Sequence, residues 1–304
     1  MKAMFARLAA LVRKCFALIS PREYARSVLR DVRASLSRVA RDRAALVALI
    51  VLILPWWSLI FLRGNFDWLW TFGEVAALVF AFWWLSRSGG SPAPAVKHPR
   101  AESLFAFALV VIWIAWRVGI CGKFFPFLPE NFVCFKNWEF EITPKVIEQV
   151  VVPIVVLFIL GYRWRAQGLD LNWRAWWISA LVLFGVAGYG IYTHWSDLPG
   201  FGQRIVEFFF GAGLPEEILF RAFLFTRLEA WWRNSAWALL GSSIIFGLTH
   251  LPINYFVFAP NNLNEAWITL LTFQMGMGAV FAFGYQRTRN VLPLALLHAL
   301  VDAL

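Results

Sequence analysis

Charged residues are scarce in this chain of 304 residues: only 15% are Asp, Glu, Lys or Arg, whereas 60% are hydrophobic. A soluble domain of this size cannot bury that much apolar surface, so an ordinary soluble fold is disfavoured and the bilayer must act as the solvent. Three cysteines are too few for a disulfide framework. The sequence also lacks a Cys-x-x-Cys pair, a Gly-rich phosphate loop and an internal repeat. Nothing in it therefore indicates a redox motif, a nucleotide-binding site or a repeat architecture.

Long apolar stretches recur along the whole chain instead. A helix needs about 20 apolar residues to cross a bilayer, and nine stretches come close to that length. We therefore expect an all-α fold, a polytopic transmembrane helical bundle with about eight to nine membrane helices. The predicted spans are 44–62, 66–85, 103–120, 146–162, 175–193, 204–226, 235–250, 266–285 and 291–304.

Positive charge is concentrated at the N-terminus. Residues 1–43 contain 11 of the 28 Lys and Arg residues but only three acids. Apolar residues at helical spacing between Met4 and Ile19 make this arm amphipathic, a pattern typical of segments that bind anionic lipid headgroups. A nucleic-acid-binding face would lack the apolar stripe, so no nucleic-acid partner is expected. Arg13 and Lys14 interrupt the stretch that could otherwise serve as a signal peptide.

The distribution of Lys and Arg predicts the topology. Connections on the arm's side of the bundle carry 21 of them, those on the other side carry 5, and Arg117 and Arg221 lie within spans, which accounts for all 28. Cytoplasmic loops are enriched in these residues, so we expect a multi-pass protein of a bacterial-type inner membrane with a cytoplasmic N-terminus. Residues 121–144 then form an outer loop, in which Cys121 and Cys134 could pair if that side is oxidising.

Ionisable side chains cluster in the last third of the chain. At membrane depth such groups cost several kcal/mol unless they are paired or face a cavity, so they are functional candidates. In the first cluster, Glu217 and Arg221 are four residues apart and share a helix face, whereas Glu216 points about 100° away from its neighbour. Glu217 is therefore expected to neutralise Arg221, which leaves Glu216 for proton transfer.

Two further clusters follow. Phe246 and His250 share one helix face, and His298 and Asp302 lie one turn apart in the last predicted helix. Asp302 could fix the tautomer of the His298 ring, or it could join that ring in polarising an oxygen. Three clusters in this order are much more specific than any one of them.

The order Glu-Glu-x-x-x-Arg, Phe-x-x-x-His and His-x-x-x-Asp resembles that of the CPBP membrane proteases, which include the type II CAAX prenyl endopeptidases and bacterial relatives. The resemblance covers roughly residues 146–304 and implies an all-helical protease core there. The arm of residues 1–43 and a region of additional membrane helices and an outer loop, residues 44–145, precede that core.

The resemblance also implies roles for the clustered residues. Glu216 and His250 would activate a water molecule, while His298 and Asp302 would stabilise the oxyanion. The family pattern has Asn or Asp at position 302, and an ionised Asp cannot donate a hydrogen bond. Asp302 must therefore be protonated to donate, or it acts by orienting His298. The residues expected to support the site structurally are Glu217, Arg221 and Phe246.

The expected function is an intramembrane endopeptidase that uses neither a metal nor another cofactor. Its substrate would be a peptide or a membrane-anchored protein, with a C-terminal anchor, a lipidated tail or a small peptide as candidates. A zinc protease competes with this reading, since Glu216, His250, His298 and Asp302 are acceptable ligands, although the sequence has no His-Glu-x-x-His and activity that survives a chelator would exclude it. The pattern is also compatible with a proton-coupled transporter and with a catalytically idle membrane scaffold.

Overall fold

The computed structural model describes residues 93–129, 134, 138–163 and 173–304, together with 43, 46, 47, 49–51, 73 and 76–83. All regular structure within these residues is helical, and the prediction of a helical membrane bundle is confirmed. The basic arm, apart from Arg43, lies outside the described residues, as does most of the first two predicted spans.

From residue 99 onward the described chain forms seven main helices. Four of them contain segments long and apolar enough to cross a bilayer, namely Pro99–Cys121, Ile142–Ile159, Ser235–Phe258 and Leu263–Thr288. The predicted total of eight to nine spans stays a prediction. The helices are α1 (Pro99–Cys121), α2 (138–159), α3 (Trp173–Thr193), α4 (198–232), α5 (Ser235–Phe258), α6 (Leu263–Thr288) and α7 (Leu292–Ala303).

Most of the helices extend beyond their predicted bounds, and two of them do so past a buried charge. Helix α2 begins at Trp138 rather than at 146, and α4 continues to Trp232 rather than ending at 226. Hydropathy ends a predicted span at a charged residue, but Lys145 and Arg227 are both buried in these helices, each in an ion pair with a carboxylate. Paired charges are tolerated inside a bundle, so the helices do not stop at them.

Helix starts follow from local capping chemistry. The Asn234 side chain accepts hydrogen bonds from two backbone N–H groups at the start of α5, and Asp197 and Asn262 cap α4 and α6 in the same way. Pro99 and Pro293 stand in the first turns of α1 and α7, where the missing N–H has no intrahelical partner to lose.

Part of α4 is wound as a π-helix over Glu217–Phe225, directly after Glu216. Wider winding leaves carbonyl groups to be satisfied by side chains: Thr226 Oγ1 donates to the carbonyl of Arg221 at 3.2 Å, and Arg227 donates to that of Ala222 at 2.8 Å. Such segments are frequent at functional sites. Other π segments are Ile147–Val151, Phe209–Gly213, Asn254–Phe258 and Leu270–Gln274.

A buried ion pair ties α1 to α4. Glu102 Oε2 accepts from Arg227 Nε at 3.0 Å, while its Oε1 accepts from the Tyr162 hydroxyl beyond the end of α2 and from the His98 backbone at 3.0 Å. Glu102 is 4% exposed and Arg227 is fully buried. Every oxygen of this carboxylate has a donor, which is the condition for burying it without a large cost.

Helix α7 lies against α3 and α4, and its contact with α4 is very close. A Cβ built on Gly213 would stand 2.3 Å from the carbonyl oxygen of Ala295. Small residues allow such backbone contact between membrane helices. This approach brings His298 on α7 next to the two glutamates of α4.

We expect Gly213→Ala to lower the free energy of unfolding of the detergent-solubilised protein by about 1–3 kcal/mol, because overpacking forces α4 and α7 apart. The unfolding temperature should fall accordingly. Gly202→Ala is the matched control on the same helix, since a Cβ there meets nothing within 4 Å. Equal unfolding temperatures for the two variants would show that the close contact does not matter.

Candidate active site

A cavity of about 750 Å³ lies among helices α1, α2, α4, α5, α6 and α7. It contains the four residues expected to carry the chemistry. Five phenylalanines are among its apolar lining residues. The lining side chains include Arg117, Lys145, Glu207, Glu216, Gln274, His250, His298 and Asp302, with Phe208, Phe246, Ile253, Phe258, Met277 and Phe281.

Glu216 is 5% exposed and forms an ion pair with a residue of another helix. Lys145 Nζ, from α2, donates to Glu216 Oε1 at 2.5 Å, and Lys145 is itself only 3% exposed. Lys145 lies just before the predicted span 146–162, which assigns it to the connection on the outer side, but the structure places it inside α2, so this assignment is wrong. Because the pairing satisfies both charges, a lysine and a glutamate can lie together at this depth.

The second oxygen of Glu216 faces two histidines. Oε2 lies 3.9 Å from His250 Nε2 and 3.7 Å from His298 Nε2, and it accepts no hydrogen bond from any described residue. These distances are longer than those of direct hydrogen bonds. The three polar atoms nevertheless surround one point. The convergence joins α4, α5 and α7.

The orientation of His250 is set by its own helix. Its Nδ1 lies 2.9 Å from the carbonyl oxygen of Phe246 and 3.3 Å from Thr249 Oγ1. Since a carbonyl can only accept, Nδ1 carries the proton, and Nε2 of the neutral ring is an acceptor directed at Glu216. The four-residue spacing of Phe246 and His250 thus puts the two rings on one helix face and also lets His250 Nδ1 contact the Phe246 carbonyl.

His298 contacts carboxylates with both ring nitrogens. Nδ1 lies 3.1 Å from Glu217 Oε1, and Nε2 lies 3.6 Å from Asp302 Oδ2. The carboxylate that holds Nδ1 is therefore Glu217, whereas Asp302 faces the nitrogen on the Glu216 side. Phe281 stacks on the ring at a centroid distance of 4.6 Å, which fixes its plane.

Glu217 also pairs with Arg221, one turn further along α4, with 3.3 Å between Oε2 and Nε. Both side chains are almost completely buried. The guanidinium lies 4.4 Å from the ring centre of Phe246 and 5.4 Å from that of Phe281. Cation–π contacts of this kind supply the surroundings that a buried arginine needs in place of water.

All seven predicted residues of the site thus lie together in the structure. Sequence reasoning missed Lys145 and Arg117, which come from helices far from the motifs; Arg117 is 6% exposed and lies over the Trp113 ring. One signal could have found Lys145: a carboxylate at membrane depth needs a counter-charge, and Glu216 has none on its own helix.

The described residues contain no group of three or more His, Cys, Asp or Glu side chains placed to hold a metal ion. The Oε1 atom of Glu216 is instead paired with the Lys145 ammonium group.

A comparison with known protein families bears on the C-terminal part of the chain. Residues 199–304, about a third of the chain, match the family model of the Rce1-like type II CAAX prenyl endopeptidases. Over these residues the chain is similar to that family. No curated protein and no solved structure matches the chain.

The match supports an intramembrane endopeptidase of the CAAX type in a multi-pass membrane protein, and proteases of this family act on membrane-anchored peptide or protein substrates. The resemblance to the CPBP proteases is confirmed. The match covers α4 to α7, while Lys145 and Arg117 reach the cavity from α2 and α1, outside it.

We expect Arg221→Met to destabilise the detergent-solubilised protein by about 3–5 kcal/mol, because Glu217 would remain buried without its cation. The matched control is Arg204→Met, which removes a partly exposed partner of Asp197 at 3.6 Å and should cost about 0–1 kcal/mol. Thermal unfolding measures both. Similar losses would contradict the proposed importance of the buried pair.

Proposed function

We propose that this endopeptidase hydrolyses its substrate with a water molecule activated by Glu216 and His250. The observation that supports this best is the convergence of Glu216 Oε2 with two histidine Nε2 atoms at 3.7 and 3.9 Å. A water among these atoms can donate one proton toward Glu216 and the other toward His250 Nε2. Its lone pair then remains available for a carbonyl carbon.

The reaction proceeds in two stages. As the water oxygen bonds to the carbonyl carbon, one of its protons passes to the Glu216–His250 pair and the carbonyl oxygen becomes an oxyanion. When the tetrahedral intermediate collapses, the C–N bond breaks and the held proton passes to the leaving amine. The products are a carboxyl group and an amine, and no bond to the enzyme forms.

His298 is the proposed donor to the oxyanion. Glu217 holds its Nδ1 side, so the ring presents Nε2 to the cavity, and when both nitrogens are protonated Nε2 can donate to a developing negative charge. Asp302 is 3.6 Å from that nitrogen on the open side of the ring. We assign Asp302 to positioning this edge of His298, which needs no protonated aspartate.

Lys145 completes the arrangement by holding Glu216 Oε1. The contact leaves only Oε2 for the water and prevents the carboxylate from rotating. It also balances a negative charge in a region of low dielectric. Lys145 is thus proposed as a positioning residue that acts through Glu216.

The proposed substrates are a C-terminal membrane anchor, a lipidated tail or a small peptide. Aromatic and Met side chains around the cavity suit an apolar segment of any of these. We place the protein in the inner membrane of a bacterial-type cell, with a cytoplasmic N-terminus and an arm, residues 1–43, that binds anionic lipids.

Glu216→Gln or His250→Ala is expected to abolish detectable cleavage, a loss of roughly a hundredfold to ten-thousandfold, because a general base is removed. The measurement compares the membrane proteomes of cells that carry wild type or a variant, and seeks proteins whose size changes. Glu265→Gln, a change of the same kind near the start of α6 and outside the cavity lining, should behave as wild type. Full activity in either variant that retains the wild-type unfolding temperature would refute the mechanism.

Lys145→Met should reduce cleavage strongly, whereas Lys145→Arg should restore much of it, because arginine can also pair with Glu216. The same change in size serves as the assay, and unfolding temperatures separate misfolding from loss of activity. Equal activities of the two variants would show that a positive charge at this position is not needed.

A further inference from the structure

The described helices alternate in direction, so their ends gather at two faces of the bundle. Side-chain contacts show which ends meet. At one face the start of α1 meets the ends of α2 and α4, through Glu102 with Tyr162 and Arg227. The end of α6 joins them, since Arg289 pairs with Glu229 at 2.8 Å. We call this the arginine face.

At the opposite face the end of α1 packs against the end of α5, where Ile120 and Cys121 lie against Phe256 and Val257. The end of α3 contacts the end of α7, with His194 Nε2 3.2 Å from the Leu304 carbonyl oxygen. A disulfide joins Cys121, the last residue of α1, to Cys134 in the following loop. We call this the disulfide face.

The catalytic cavity opens toward the disulfide face. Its lining includes Arg117 four residues before the end of α1, Lys145 from the first part of α2, and Phe258 at the last position of α5. Exposure falls from 60% at Phe258 to 5% at Glu216 and 5% at His298. The rim therefore lies among the helix ends of this face, and the glutamate and histidine lie deeper.

Two independent features distinguish the compartments at the two faces. Disulfides persist in oxidising compartments and are rare in the cytosol, which places the Cys121–Cys134 loop outside the cytoplasm. Lys and Arg are enriched on the cytoplasmic side of membrane proteins. Away from the cavity, the described cations near the arginine face include Lys97, Arg100, Arg163, Arg174, Arg227, Arg233, Arg287 and Arg289, whereas Lys123 and Arg204 lie near the disulfide face.

We propose that the catalytic cavity opens on the extracytoplasmic side of the membrane, and that its substrate is a translocated polypeptide whose membrane-anchored segment is presented from that side. The choice of substrate rests on the proposed function, whereas the side of the cavity does not. A lipidated tail in the cytoplasm would reach the arginine face, where Glu102 and Arg227 are buried in an ion pair.

The test of the side uses single cysteines and a membrane-impermeant maleimide, with Cys15→Ser in every variant and the Cys121–Cys134 pair retained. Phe258→Cys reports the rim, Trp195→Cys, 71% exposed between α3 and α4, reports the disulfide face, and Arg100→Cys reports the arginine face. In sealed spheroplasts Phe258→Cys and Trp195→Cys should react at least tenfold faster than Arg100→Cys. Inside-out vesicles should reverse the order.

Three results would overturn the assignment. The first is faster reaction of Arg100→Cys in spheroplasts, and the second is no reaction from outside at either reporter of the disulfide face. Alkylation of growing cells should leave Cys121 and Cys134 unmodified until a reductant is added, so free thiols there in folded protein are the third.

Substrate delivery is tested separately with the Glu216→Gln proteome comparison. Proteins that change size should be translocated chains with a membrane anchor, and cytoplasmic lipidated proteins in their place would refute the substrate part. If no protein changes size, the proposed proteolysis fails, while the labelling pattern still decides which side the cavity faces.

Discussion

Two adjacent carboxylates, Glu216 and Glu217, have to be kept inside a bilayer, and much of the structure depends on how this is done. A buried charge is costly unless a partner lies beside it. The two acids point in different directions and receive different partners, Lys145 from α2 for Glu216 and Arg221 with His298 for Glu217. The positions of α2, α4 and α7 relative to one another follow from these contacts.

The aromatic residues serve the same requirement. Phe246 and Phe281 lie against the Arg221 guanidinium, and the same two rings contact His250 and His298. One small group of rings therefore surrounds the structural cation and orients both imidazoles. Stability and chemistry are not separable at these positions, because a change in either ring alters the surroundings of a charge and of a histidine together.

Much of the site could be predicted from the sequence because its signals are local. The face shared by Glu217 and Arg221, and the order of the three motifs, depend on residues only a few positions apart. The partners of Glu216 and Glu102 could not be predicted in this way, since Lys145 and Arg227 come from helices 71 and 125 positions away. Hydropathy even misplaced Lys145, because a pattern of apolar residues cannot show which charges are paired inside a bundle.

Lys145 lies outside the stretch that matches the Rce1-like family. Proteins that share only the C-terminal helices must obtain a positive charge for this glutamate from another helix, or do without one. Divergence among such proteins can therefore proceed through the helices that precede the common domain, with no change in the motif residues themselves. The charge that surrounds the catalytic glutamate can therefore change in evolution while the motif residues stay the same.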